Sequence, residues 1–259
     1  MNEVLSRGRR ALRRSIDRVR WHGEVRTVLR GPAAGLRIGT RCASAEYAEG
    51  TNEAHVQEAL TRLLRPGDTF VDVGANVGFF SLLAARRVGA HGRVIAFEAV
   101  PTIAAALMDN VRLNDLRQIE VRPLAIGAAP GRAVLRLTKH PGGATIASDA
   151  DAQEVTETID VEVASLDALV DDGSLPPPDV VKIDVEGSEL DALVGMSRTV
   201  AERRPSIVVE LDAASPDRLA SKRAEVEALL ARWDYVIEPL PPSYPHAGWS
   251  VVHLVARGK

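Results

Sequence analysis

Thr69-Phe70-Val71-Asp72-Val73-Gly74-Ala75-Asn76-Val77-Gly78-Phe79-Phe80-Ser81 is the stretch that decides the fold. Its first five residues are apolar and β-branched, the mark of a buried strand. Gly74 and Gly78 bracket a tight turn, and the apolar run from Phe79 to Val88 reads as a helix. Strand, glycine turn and helix form the opening unit of a doubly wound α/β sheet.

The alternation continues on both sides. Upstream, Ala54, Val56, Ala59, Leu60, Leu63 and Leu64 share a helical face, and Arg65-Pro66-Gly67-Asp68 ends that helix. Downstream, Val94–Phe97 is a strand ending in Glu98, and Pro101 opens a helix over Thr102–Leu113 with Asn110 and Asn114 one turn apart. Strands are expected at Glu120–Ile126, Gly131–Thr138, Glu154–Val163, Val180–Asp184, Ser206–Leu211, Tyr235–Pro239 and Trp249–Val255. Ser165 suits the N-cap of a short helix at Leu166–Val170, and further helices are expected from about Ser188 and over Asp217–Trp233. No internal repeat or long linker interrupts this order.

Composition narrows the classes. The chain has 259 residues, 46% of them hydrophobic, which suffices for a sizeable core, and its single cysteine, Cys42, excludes an internal disulfide framework and a cysteine-based zinc cluster. The net charge of −3 hides an asymmetry: residues 1–30 hold nine arginines and three acids, a local +6, so the remainder carries −9. We divide the chain into a basic N-terminal helical extension, residues 1–50, and a cofactor-binding domain, residues 51–259. The arm suits peripheral contact with an anionic membrane surface, although a solvated helix packed on the body is the plainer reading. Arginines break every apolar run in it, so neither a secretory leader nor a transmembrane segment is expected, and a cytoplasmic location is the expectation. Few aromatics and one localised basic stretch argue against a nucleic-acid partner. The sequence leaves the oligomeric state open, a homodimer among the choices.

Ligands of open parallel sheets bind beyond the carboxyl ends of the strands. The residues that end strands are Asp72, Glu98, Ala125 or Ile126, Asp184 with Glu186, and Glu210. Gly74 and Gly78 let backbone approach a ligand, and Glu98 is placed to accept both hydrogens of a ribose diol, the logic of a nucleoside cofactor site. Asn76 stands where a dinucleotide loop has its middle glycine, which disfavours NAD, and no phosphate-binding Gly-x-x-x-x-Gly-Lys loop exists.

These residues, with Gly92–Glu98, Asn110–Asn114, Ser165–Leu169, Val181–Glu189 and Pro205–Glu210, resemble the FkbM family of S-adenosylmethionine-dependent methyltransferases in order and spacing from about Gly50 to Leu211. Glu98-Ala99-Val100-Pro101 departs from the family's more frequent Glu-Pro but keeps the acid. The resemblance implies a Rossmann-like class I methyltransferase fold, a seven-stranded, mostly parallel sheet with helices on both faces and an antiparallel last strand. It further implies that Asp72, Gly74, Ala75, Asn76, Gly78 and Phe79 surround the methionine portion of S-adenosyl-L-methionine. Glu98 would hold the ribose, Ala125 would lie beside the adenine, and Asp184 would reach the cofactor amine or position the substrate. The implied reaction is O-methylation of a hydroxyl-bearing small molecule such as a sugar or secondary metabolite. An NAD-dependent oxidoreductase and a non-catalytic cofactor-binding scaffold are the alternatives.

An alcohol acceptor needs a proton acceptor within about 3 Å. Asp184, Glu186, Glu210 and His140 are the candidates, with Lys182 able to pair with one of the acids and weaken it as a base. Mg2+ held by Asp184, Glu186 and Glu210 is a further option, not the favoured one. Substrate contacts are expected from residues 37–52, 139–150 and 241–249, including Tyr47, Tyr244, His246 and Trp249.

Overall fold

The computed structural model describes residues 24–39, 45–138, 144–145, 155–243 and 250–259. In chain order, the first elements are β1 (Val25–Thr27), β2 (Arg37–Gly39), α1 (Ala45–Glu49) and α2 (Ala54–Leu63). They lead into β3 (Thr69–Val73), α3 (Phe79–Val88), β4 (Arg93–Phe97), α4 (Pro101–Leu113) and β5 (Ile119–Arg122). A smaller unit comes next: β6 (Ala125–Ile126), β7 (Gly131–Thr138), β8 (Ala144–Thr145) and β9 (Val155–Ala164). The chain then makes α5 (Leu166–Asp171), β10 (Val180–Ile183), α6 (Glu189–Val194), α7 (Ser197–Arg203) and β11 (Ser206–Ala213). It closes with α8 (Pro216–Arg232), β12 (Tyr235–Pro239) and β13 (Ser250–Gly258).

The main sheet has seven strands in the order β12-β13-β11-β10-β3-β4-β5. Neighbours from β11 to β5 are parallel, and β13, antiparallel to both β11 and β12, is the one reversed strand. Strand order reverses between β3 and β10, which opens a crevice beyond their carboxyl ends.

Period-two alternation divides the sheet's side chains between two cores. Phe70, Val94, Ala96, Val180, Val208 and Val255 face α2, α3 and α4, whereas Val71, Val73, Ile95, Val181, Ile183, Ile207 and Val209 face α5 to α8. Each fully buried valine, leucine or phenylalanine contributes ~1.5–3 kcal/mol by leaving water. Both faces are covered, so the strands read as apolar runs. The charged Asp72 and Lys182 stand out against them.

Two stretches differ from the sequence expectation. Glu120–Ile126 is not one strand: Pro123 has no N–H for the ladder, Leu124 N–H turns back to the Arg122 carbonyl at 2.9 Å, and the chain leaves the main sheet after β5. The next strands build a separate four-stranded sheet, β6-β9-β7-β8, in which β7 and β9 pair antiparallel. The N-terminal stretch also departs from helix. β1 and β2 form an antiparallel hairpin, and Val28, Ala33, Leu36, Ile38 and Ala48 belong to the same core as α2 and α3. The arginine-rich residues 1–23 lie outside the described residues.

The asparagines of α4 explain how that hairpin is held. The Asn110 carboxamide oxygen accepts from Gly39 N–H at 2.7 Å and its amide donates to the Val77 carbonyl at 2.8 Å. Asn114 closes both backbone groups of Arg37, accepting at 2.8 Å and donating at 2.7 Å. One helical turn therefore stitches the hairpin, the glycine turn and α4 together. No described helix is long and apolar enough to cross a membrane.

Candidate active site

The parallel register aligns the residues at the carboxyl edge. Asp72 pairs with Ala96 on one side and Lys182 on the other, and Lys182 pairs with Val208. Two residues further on along the same strands lie Gly74, Glu98, Asp184 and Glu210, and Glu210 is opposite His253 across the antiparallel β11–β13 ladder. The sheet thus presents one row, Glu98-Gly74-Asp184-Glu210-His253, above a second, Asp72-Lys182.

Gly74 is irreplaceable for a geometric reason. Its φ is +79°, and a Cβ there would lie 1.8 Å from the Asp184 carbonyl oxygen. The turn is therefore pressed against the end of β10. Asn76 also takes a left-handed conformation, φ 52°. Gly78, φ +89°, leads into α3, where a Cβ would meet Leu107 at 2.9 Å. Ala75 and Phe79 are buried beside it.

Glu98 is 8% exposed, and its two carboxylate oxygens accept separate backbone N–H groups: Asn76 at 2.9 Å and Val100 at 2.8 Å. Burial pushes its carboxyl up to about 7 despite those two donors. A carboxylate has about four lone-pair sites, so both oxygens retain acceptor capacity toward the cavity. That cavity encloses about 750 Å³ of space continuous with solvent, and Gly74, Asn76, Glu98, Ala125, Asp184 and Glu186 are among the residues lining it.

Asp72 is placed differently from these. It is fully buried beneath α3, where Ser81 Oγ donates to its Oδ2 at 2.6 Å, and it does not line the cavity. Burial pushes its carboxyl up, opposed by Lys182 and by the Ser81 hydroxyl. Lys182 is 2% exposed, sits 4.7 Å above the Phe80 ring and donates to Asp184 Oδ2 at 2.7 Å. Burial alone would lower its pKa, but Asp184, Asp72 and Glu53 outweigh it and hold the ammonium protonated. The expected pairing of Lys182 with a strand-end acid is therefore formed, with Asp184 as the partner.

Glu186 sits on the loop after β10, exposed on its outer flank. Desolvation, and then repulsion from Asp212, Asp184, Glu210 and Glu189, push its carboxyl up to about 8, a rise that its exposed flank tempers. The carboxylate that reaches back to the Gly187 N–H is Glu189, at 3.2 Å, and Lys222 of α8 pairs with Glu189 at 3.1 Å. In the Lys182–Glu189 motif, then, the first acid pairs with a buried lysine, the second faces the cavity and the third ties α6 to α8. Asp167 is likewise structural: it accepts from Arg198 N–H at 2.9 Å and Thr199 N–H at 2.8 Å, capping α7.

The structure adds two residues that sequence reasoning missed. His253 is 2% exposed, and its Nε2 lies 2.6 Å from Glu210 Oε2 and 3.3 Å from Glu53 Oε2. Burial pushes Glu210 up to about 8; burial would lower His253, but Glu210 and Glu53 hold it at about 9. A histidine at an inward position of an apolar strand was the available signal for one. Glu53 looked only like a helix start. Tyr47 of α1 packs on Phe79 at 5.1 Å between ring centroids, and burial together with Glu53 and Asp184 raises its hydroxyl pKa. His140, Tyr244, His246 and Trp249 lie outside the described residues.

The profile of the methyltransferase FkbM domain matches residues 72–237, from the buried acid of β3 into β12. The chain belongs to the FkbM methyltransferase family. The hexuronic acid methyltransferase AglP of Haloferax volcanii is 27% identical over 196 residues, covering 74% of this chain and 77% of that one. The 31-O-demethyl-FK506 methyltransferase FkbM of Streptomyces tacrolimicus is 30% identical over 178 residues, 57% of this chain and 66% of that protein. Among solved structures, PH0793 of Pyrococcus horikoshii superposes with a TM-score of 0.52 at 14% identity, over 92% of this chain and 73% of that one, a likeness of fold. This FkbM-family enzyme is thus a methyltransferase with a Rossmann-like sheet, and the family's cofactor is S-adenosylmethionine. The nicotinamide reading loses its footing.

Proposed function

We propose that this methyltransferase transfers a methyl group from S-adenosylmethionine to a hydroxyl of a small molecule, a sugar or secondary metabolite. The observation that carries the reading is the shared cavity: Glu98, the Gly74–Asn76 turn, Asp184 and Glu186 open on one space at the carboxyl edge of the sheet. The residues suit the cofactor. Glu98 offers acceptor oxygens for a ribose diol, the backbone pressed against Asp184 at Gly74 leaves room for no side chain, and Ala125 lines the same cavity, where it would meet the adenine. Two relatives, named for a hexuronic acid and for 31-O-demethyl-FK506, are consistent with a hydroxyl-bearing acceptor.

When bound, the cofactor supplies an electrophilic methyl on a leaving thioether. The chain's own work is to align the acceptor, exclude water and take one proton. Asp184, tied to Lys182 at 2.7 Å, suits hydrogen-bonding a substrate or an amine. Glu186, at the cavity wall and raised toward neutrality, is matched to proton acceptance. Replacing Glu186 by Gln should lower kcat ~10²–10⁴-fold while leaving S-adenosylhomocysteine affinity near wild type.

Incubating the protein with S-adenosylmethionine and a panel of hexuronic acids, hexoses and hydroxylated macrocycles tests the reading. Formation of S-adenosylhomocysteine with a one-methylene mass gain on an acceptor oxygen supports it. Methyl transfer confined to nitrogen or carbon acceptors contradicts it.

A further inference from the structure

Glu53, Glu210 and His253 come from three separate elements and meet at one point. Glu210 and His253 are register partners across β11–β13, so the sheet itself sets them side by side. Glu53 arrives from the start of α2 in a left-handed backbone conformation, φ 41°, that non-glycine residues seldom adopt. Asn52 Nδ2 donates to its Oε1 at 3.2 Å, which leaves Oε2 directed at His253.

Both carboxylates address the same imidazole nitrogen, Nε2, at 2.6 Å and 3.3 Å. Nε2 carries either one hydrogen, in the neutral or the cationic ring, or one lone pair. A lone pair cannot stand 2.6 Å from a carboxylate oxygen unless a positive charge lies between them. A single hydrogen there is shared unequally between carboxylate oxygens at 2.6 Å and 3.3 Å. The surroundings sharpen the imbalance. Asp72, Asp184 and Glu53 act on Lys182, and Asp184 and Glu53 also act on Glu210, so carboxylates outnumber the neighbouring ammonium, and one proton on His253 removes less of that surplus than a divalent ion.

We propose that Glu53, Glu210 and His253 form a binding site for one divalent transition-metal cation. Their ligand atoms all lie within 4.8 Å of one another, so small side-chain rotations bring them around one ion at ordinary bond lengths of ~2.0–2.2 Å. One imidazole with two carboxylates favours the zinc, manganese, iron and cobalt class over magnesium or calcium, which prefer oxygen alone. Three protein ligands leave coordination positions for water or an acceptor oxygen. This grouping differs from the acids Asp184, Glu186 and Glu210 considered for Mg2+: Asp184 is committed to Lys182, and the cluster takes its other ligands from α2 and β13.

The site stands whatever acceptor is methylated, so its test reads binding. Full-length protein is stripped with a chelator and titrated with Co2+. The expected result is one equivalent per chain with visible ligand-field bands, displaced by Zn2+, and matching zinc content by plasma mass spectrometry after dialysis. Glu53→Gln and His253→Gln should weaken Co2+ binding by ~100-fold or more, whereas Glu120→Gln on the surface should not. Wild-type protein that binds no stoichiometric Co2+ or Zn2+ overturns the site, and so do folded Glu53→Gln and His253→Gln variants that bind as tightly as wild type. The wild-type titration decides even if a variant fails to fold.

Discussion

Glu98 and Lys182 are each buried with a charge, and their neighbours determine opposite consequences. Glu98 is raised to about 7 by burial, so its ionised form, the better acceptor for a diol, is depleted as pH falls through that value. S-adenosylhomocysteine binding, measured by calorimetry, should therefore weaken progressively from pH 8 to about 6. Glu98→Ala should cost ~1–3 kcal/mol of that binding and flatten the pH dependence. Lys182 offsets Asp72 and Asp184 beneath the cofactor crevice. Lys182→Met should cost ~3–5 kcal/mol of stability in denaturant melts, because it leaves two carboxylates without their cation. Asp72 shows what a motif alone conceals: a residue shared by many cofactor turns can support the turn from beneath rather than line the cavity.

At the level of elements, the motif Asn110–Asn114 ties separate pieces of chain. Its two carboxamides bond backbone of β2 at Arg37 and Gly39 and of the glycine turn at Val77. Asn110→Ala removes a fully engaged buried side chain and should cost ~1–3 kcal/mol, with hydrogen exchange accelerating at Arg37–Gly39 before it does in β3. Asp167 caps α7 from outside that helix, so Asp167→Ala should cost ~1–2 kcal/mol, read as a lower denaturation midpoint with an unchanged m-value. Element boundaries are legible where caps and glycines set them, as at Phe79–Val88. The strand expected at Glu120–Ile126 divides because its apolar pattern runs on across Pro123 while its hydrogen-bonding partners change.

Across the whole molecule, the five parallel strands β5, β4, β3, β10 and β11 carry the site, and the hairpin at residues 25–39 packs against the same core. Because the proposed cofactor crevice bridges β3, β4 and β10, occupancy should stabilise the fold as a unit: S-adenosylhomocysteine at a hundredfold its Kd should add about 2.7 kcal/mol, a Tm rise of ~5–10 °C in a thermal melt. Residue order alone was enough for the α/β alternation, the glycine turn and the strand-ending acids Glu98, Asp184, Glu186 and Glu210, because these depend on local periodicity and short spacings, and its motifs carried the resemblance to the family. Tertiary packing was needed to establish which of those acids share a cavity, that Asp72 is buried away from it while Glu189 ties α6 to α8, and that Glu53 and His253 meet Glu210. Those three residues together span most of the chain, and no local pattern records a contact that sheet register and helix packing alone bring about.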